Sequence, residues 1–178
     1  RHSAQHRGTV YQYAAFSLVR HGRLFLKTVL VDASSVILLY KAALFADILT
    51  AFRIRLSASV YEELTRHRRP GARTIARSRR DRLITVVTPN GAAAPYHLPA
   101  SLHRGERDTL LCFLNGGVDF IIIDDGPGAG YCRREGLPYV NALLCPRLLA
   151  IGGRLSPNEA RWAMTRISDM GHYSAWIR

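Results

Sequence analysis

Carboxylates are scarce in this chain, 13 against 25 lysines and arginines in 178 residues, so where they fall is informative. Asp32 directly follows the β-rich run Lys27–Val31, and Asp124 and Asp125 follow the apolar run Phe120–Ile123. Both runs read as buried strands. Glu62 and Glu63 fall in the first turn of one expected helix, and Glu106 and Asp108 in the first turn of another. If the two strands are neighbours, Asp32 and Asp124 converge at one sheet edge. Helix N-termini facing that edge bring Glu63 and Glu106 to it. Four carboxylates in one crevice repel unless a hard divalent cation joins them, and Mg²⁺ or Mn²⁺ prefers oxygen ligands and keeps several waters. Such a site can hydrolyse phosphodiesters, because the metal activates water and stabilises the leaving oxygen. Asp108 and Asp125 are further candidate metal ligands. Ser34 and Ser35, next to Asp32, either support a metal-held water or cap the following helix.

Each acid also has a plainer reading. A carboxylate in the first turn of a helix offsets the macrodipole by about 0.3–1 kcal/mol and needs no function. Asp32 suits a helix cap, and Asp124-Asp125 suits a turn before Gly126-Pro127-Gly128. Glu62 completes the pattern Ser59-Val-Tyr-Glu62, a capping box. Glu63 lies outside that role. It is the combination of positions that favours a site.

The elements that must position these acids alternate in type. After the strand at 27–31, residues 34–52 carry apolar side chains at helical spacing, Leu38, Ala42, Phe45 and Leu49 among them. A short strand is expected over 53–56, a helix opening at Ser59, and a third strand over 83–88. Asn90-Gly91 and three alanines mark a loop over 89–99. A helix follows over 105–115, then the strand ending at Asp124, a short helix around Cys132, a last strand at Tyr139-Val140, and a helix over 141–151. Ser156-Pro-Asn-Glu159 is a second capping box with proline at the first helical position, opening a helix to about Met170. Strands alternating with helices imply a parallel sheet covered on both faces. In such folds the functional crevice lies at the carboxyl ends of the strands, where strand order reverses.

Four segments in order resemble a PIN domain, the nuclease fold of VapC-type toxins and related PilT N-terminus proteins. They are Val29-Leu-Val-Asp-Ala-Ser-Ser35, Ala58-Ser-Val-Tyr-Glu-Glu-Leu64, Gly105-Glu-Arg-Asp-Thr-Leu-Leu111 and Phe120-Ile-Ile-Ile-Asp-Asp125. The Gly105-Glu106 start is similar to the "GE" subgroup. The resemblance implies a three-layer α/β/α fold with a central, mostly parallel sheet of four or five strands. It further implies a Mg²⁺- or Mn²⁺-dependent endoribonuclease acting on single-stranded RNA, with a catalytic tetrad of Asp32, Glu63, Glu106 and Asp124 and one or two metal ions. It makes the protein the toxin of a toxin–antitoxin pair, with a small antitoxin partner and a homodimeric state. Two departures stand out. The third acid is glutamate where many members have aspartate, and the stretch after Asp125 lacks the basic residues common there.

Charge and composition set the rest. A net charge of +12, with only Lys27 and Lys41 as lysines, favours a polyanionic partner. Arginine concentrates between 66 and 82, at Arg66, Arg68, Arg69, Arg73, Arg77, Arg79, Arg80 and Arg82, against the single acid Asp81. The first seven of these are the candidate contacts to nucleic acid or to an antitoxin. Three widely spaced cysteines form no zinc or disulfide pattern and suit a reducing cytoplasm. No apolar run approaches the roughly 20 residues of a membrane span. Residues 1–26 read as a basic extension outside the core, 27–150 as the nuclease-like domain, and 151–178 as a helical extension packed on it, with Trp162, Tyr173 and Trp176 expected in its apolar contact. A non-catalytic nucleic-acid-binding module and a housekeeping RNA-processing nuclease remain the alternatives.

Overall fold

The computed structural model describes residues 27–66, 69–90, 97–124 and 126–171. In chain order the elements are β1 (Thr28–Val31), α1 (Ala33–Lys41), α2 (Phe45–Ala51), β2 (Arg53–Ser57), α3 (Ala58–Thr65), α4 (Ala72–Arg80), β3 (Ile84–Val87), α5 (Arg104–Leu114), β4 (Phe120–Ile122), α6 (Pro127–Arg134), β5 (Tyr139–Val140), a 3-10 turn (Ala142–Leu144), α7 (Cys145–Ile151) and α8 (Pro157–Met170). The strands pair in the order β3-β2-β1-β4-β5, every pair parallel. Strand order therefore reverses between β1 and β4. Those are the two strands that end in aspartates.

β4 is apolar throughout, and β1 after its first residue, Thr28, because both of their faces are covered, as parallel sheets require. Val29, Val31, Phe120 and Ile122 face one core, shared with Val36, Leu39, Ile48, Leu149 and Ile167 of the helices on that side. Leu30, Ile121 and Ile123 face the other, with Leu110 of α5 and Tyr131 and Cys132 of α6. This is the three-layer α/β/α arrangement, with five strands. Ala160, Ala163 and Ile167 of α8 are buried, and Ala163 and Ile167 join the first core.

Three local readings of the sequence need correction. The helix expected over 34–52 is two helices bent by 117°. Leu44 N donates to Leu39 O at 2.9 Å and Ala43 N to Tyr40 O at 3.0 Å, a Schellman closure with Ala43 at φ +59°. A left-handed alanine is disfavoured, but the turn buries Leu44 and Phe45. The N-cap of α3 is Ser57, whose Oγ accepts from Val60 N at 3.4 Å, not Ser59, which is buried inside the helix. Glu62 thus has no capping-box role and pairs with Arg104 at 3.6 Å on the surface. Trp162, expected in an apolar contact, is 73% exposed on α8. The second capping box holds as read: Ser156 and Glu159 bond reciprocally and Pro157 opens α8. Tyr173 and Trp176 lie outside the described residues. Among the described residues no single helix is long and apolar enough to cross a membrane; the bent pair α1–α2 passes only by length and composition. Its buried apolar residues belong to the first core.

Candidate active site

Asp32 stands one residue beyond β1, and Asp124 two beyond β4, so the reversal of strand order puts both at the same point of the sheet's carboxyl edge. The backbone makes the join directly, Asp32 N donating to Ile122 O at 3.0 Å. Ser35 then ties the two side chains together. Its backbone N donates to Asp32 Oδ1 at 2.8 Å, and its hydroxyl donates to Asp124 Oδ2 at 2.7 Å. Ser34 Oγ donates to Asp32 Oδ2 at 2.5 Å, and Ala142 N to Asp124 Oδ1 at 3.1 Å. Neither serine hydroxyl is the cap of α1: Asp32 caps it by accepting from Ser35 N, and the two hydroxyls donate instead to the carboxylates of Asp32 and Asp124.

Asp32 is buried, 6% exposed. Burial, and then the neighbouring Asp124 carboxylate, push its carboxyl up to about 7, against the hydrogen bonds from Ser34 and Ser35 that favour the anion. A carboxyl held beside another carboxyl against such a penalty is a functional-site signature. Three buried thiols lie in the cores, Cys145 in the first and Cys112 and Cys132 in the second. Burial raises Cys112 to about 11 and Cys132 to about 12, with Asp108 and Glu106 respectively adding to the rise, and Cys145 is pushed higher still by burial and Asp124.

The other predicted acids line the rim without joining the pair directly. Glu106 is the N3 residue of α5. One of its oxygens accepts from His103 N at 3.0 Å, completing a capping box, and the other accepts from Gly128 N at 3.0 Å in the first turn of α6. Gly105 is close against α3: a Cβ there would lie 3.3 Å from Val60 Cγ2 and 3.7 Å from Glu63 Oε2. Glu63 has Arg69 at 3.7 Å. The rim thus runs from Asp32 through Ser35 to Asp124, then past Gly126 and Gly128 to Glu106, then past Gly105 to Glu63. Asp108 is two positions beyond Glu106, about 200° round the helix, and it lies beside Cys112 rather than on the α6 side. Asp125 and Arg68 fall outside the described residues. Arg66, Arg69, Arg73, Arg77, Arg79 and Arg80 are all exposed.

Sequence reasoning missed the backbone donors of Ala142 and Gly128, which leave no side-chain signature. It also missed the hydroxyl group of Ser57, Ser59 and Thr109, where Ser57 Oγ lies 3.3 Å from Ser59 Oγ and 3.4 Å from Thr109 Oγ1, all buried. This group joins the end of β2 to α5.

Among the described residues no three acids, histidines or cysteines gather closely enough to hold a metal by themselves. The Asp32–Asp124 pair fits a hard divalent ion nonetheless. Mg²⁺ is typically held by one or two carboxylates and completes its shell with water and substrate phosphate. The donors here are all oxygens, and a buried carboxyl beside a half-buried one is the kind of site a cation relieves.

A family model described as a PIN domain matches residues 28–173. The chain therefore belongs to the PIN-domain family, and its fold is of the nuclease type. No curated protein and no solved structure matches it.

Proposed function

We propose that this PIN domain is a metal-dependent endonuclease of single-stranded RNA. The observation that supports it best is the Ser35 bridge, which ties the Asp32 and Asp124 carboxylates together at the strand-order reversal. Asp32 and Asp124 would be the ligands of Mg²⁺ or Mn²⁺. When bound, the cation supplies Lewis acidity toward the phosphate and the attacking water. The chain's own residues then do the rest. Ser35, Ser34 and Ala142 N–H fix the carboxylate orientations, so that no reorganisation is needed as charge develops. Glu106 sets the spacing of α5 and α6 across the mouth, and Glu63 supplies a further carboxylate at the far end of the rim. The net charge of +12 draws the polyanionic substrate toward the edge.

The test is cleavage of a mixed single-stranded RNA pool with Mn²⁺, Mg²⁺ or EDTA, beside the Asp32→Asn protein. Cutting that needs metal and is lost in the variant supports the reading. Cutting retained in full by Asp32→Asn would remove the pair from the chemistry. The toxin role and a homodimeric state rest on the resemblance alone. A small acidic protein that co-purifies and suppresses cutting would support the toxin role, and a free, constitutively active nuclease would favour RNA processing instead.

A further inference from the structure

Outside the acidic rim, the feature that the fold does least to explain is α4. It buries only Ile75 and Ser78. Arg73, Arg77 and Arg80 recur at intervals of four and three, so they share its outer face. Like charges at such spacing destabilise a helix by roughly 0.2–0.5 kcal/mol per pair. The arginines of the last turn recover part of this from the helix dipole, but Arg73 lies in the first turn, at the positive end, where a cation is disfavoured. From 69 to 82 the chain sets six arginines against one acid, Asp81, which lies 3.5 Å from Arg77 on the surface. The helix is nonetheless held in place. Arg79 lies over the Tyr61 ring of α3, 4.6 Å from its centroid, and the turn at Gly71 packs on Tyr40.

This stripe leads to the rim. Arg69, in the turn before α4, has its guanidinium 3.7 Å from Glu63. We propose that Arg69, Arg73, Arg77 and Arg80 form a track for the phosphates of a single-stranded nucleic acid, leading its backbone to the acidic edge; the inference rests on the nuclease reading of that edge. The rise of 1.5 Å per residue spaces the helical arginines about 4.5–6 Å apart along the axis over roughly 10 Å, room for two or three phosphates. Arg79, placed over the Tyr61 ring and exposed, offers a positioned planar cation beside the track, which suits an unpaired base. An acidic peptide would match the arginines equally well but gains nothing from a track that ends on carboxylates, whereas a phosphodiester chain is what such carboxylates act on with a cation.

Binding measured in EDTA separates this proposal from the nuclease reading, because it needs no cleavage. The probe is fluorescence anisotropy of a labelled 12-nucleotide uridine RNA across a salt series, with a DNA of equal length and polyglutamate as the other arms. The Arg73→Gln/Arg77→Gln/Arg80→Gln protein should bind the RNA more than tenfold more weakly at low salt, and its log K against log salt slope should flatten by about 2, near 0.7 per lost phosphate contact. A control with the same charge loss elsewhere, Arg53→Gln/Arg147→Gln/Arg161→Gln, should change the slope by less than half as much. Equal losses in the two triples would overturn the track, whatever the cleavage assay shows. Polyglutamate binding as tightly as RNA, and losing as much in the α4 triple, would also overturn it in favour of a protein dock. Loss of RNA and DNA binding alike keeps the track and makes it backbone-specific. Loss with RNA alone adds a 2′-hydroxyl contact. If the triple fails to fold by circular dichroism, Arg73→Gln alone must flatten the slope by about 0.7, and an unchanged slope overturns the proposal.

Discussion

Glu106 accepts the backbone N–H of Gly128 at 3.0 Å, a bond between the first turn of α5 and the first turn of α6. The second helix follows the turn that carries Asp124, so this bond helps set where that aspartate stands. Gly128 is there for space. A Cβ at 128 would lie 2.5 Å from Ile123 Cδ1 and 3.0 Å from Glu106 Oε1. Gly128→Ala should therefore cost about 1–3 kcal/mol through overpacking. At about 2–4 °C per kcal/mol for a chain of this size, thermal unfolding would show it. An unchanged melting temperature would mean that the helix shifts freely and Glu106 fixes nothing. Glu106→Gln should cost about 1–2 kcal/mol, since an amide offers one acceptor to two backbone donors and leaves one N–H unpaired.

The pH dependence of stability should carry the mark of the aspartate pair. The folded Asp32 carboxyl sits at about 7, against an ordinary 3.8, chiefly through burial and then through Asp124. Between those values the folded state binds more protons than the unfolded one. Its contribution to stability is thus full below about 3.8 and is lost as pH rises through about 7. Other groups titrate too, so the quantity to measure is the difference between wild type and Asp32→Asn in EDTA. The wild-type melting temperature should fall relative to the variant from pH 5 to pH 8. A difference that is flat with pH would show that the pair shares no proton.

Much of this site was legible because β1 and β4 announce themselves as continuous apolar runs and each ends in aspartate. A parallel sheet turns that into adjacency once the strand order is known. What was hidden follows from physics that leaves no residue-type signature. Ala43 adopts φ +59° with no glycine or asparagine to mark it, so the break between α1 and α2 was invisible. Ser57 and Ser59 both suit an N-cap, and only the length of β2 decides for Ser57. Ala142 and Gly128 donate from the backbone, where any residue looks alike. Trp162 reads as core by type, but on α8 it stands beside exposed Arg161 and Thr165 rather than with the buried Ala160, Ala163 and Ile167.

Ser35 is buried and serves both carboxylates, and only its hydroxyl contribution is removed by Ser35→Ala. The backbone bond to Asp32 survives, so helix α1 keeps its cap. Asp124 loses one donor and the means of its alignment with Asp32. Mn²⁺ affinity, followed by calorimetry, should weaken by about 10-fold or more, as for partners that orient metal ligands. Ser34→Ala removes a bond from an exposed residue to Asp32, and should weaken it less. If the order is reversed, the bridge is not what aligns the pair.

The three cysteines offer an independent check on the core. All are buried, and burial raises Cys112 to about 11 and Cys132 to about 12. Since the thiolate is the reactive form, a thiol reagent at pH 8 should label none of them quickly in the native protein and all three after denaturation. Fast labelling of Cys112 would place it in contact with solvent and loosen the packing of α5 on Val87.

Arg82 closes α4 in a left-handed conformation, φ +60°, with Leu83 N donating to Ser78 O at 2.9 Å and Arg82 N to Arg79 O at 3.1 Å. An arginine in that region costs roughly 1–2 kcal/mol relative to its helical conformation, a cost glycine avoids. Glycine's greater freedom in the unfolded chain returns part of that difference. Arg82→Gly should therefore stabilise the protein by up to about 1 kcal/mol, measured by denaturant unfolding. Because Arg82 is not on the face shared by Arg73, Arg77 and Arg80, the same variant should leave RNA affinity within about twofold of wild type once the loss of one general charge is allowed for. A stabilised protein with intact binding would separate the closure of α4 from its arginine stripe. A large loss of binding would mean that the stripe extends past the end of the helix.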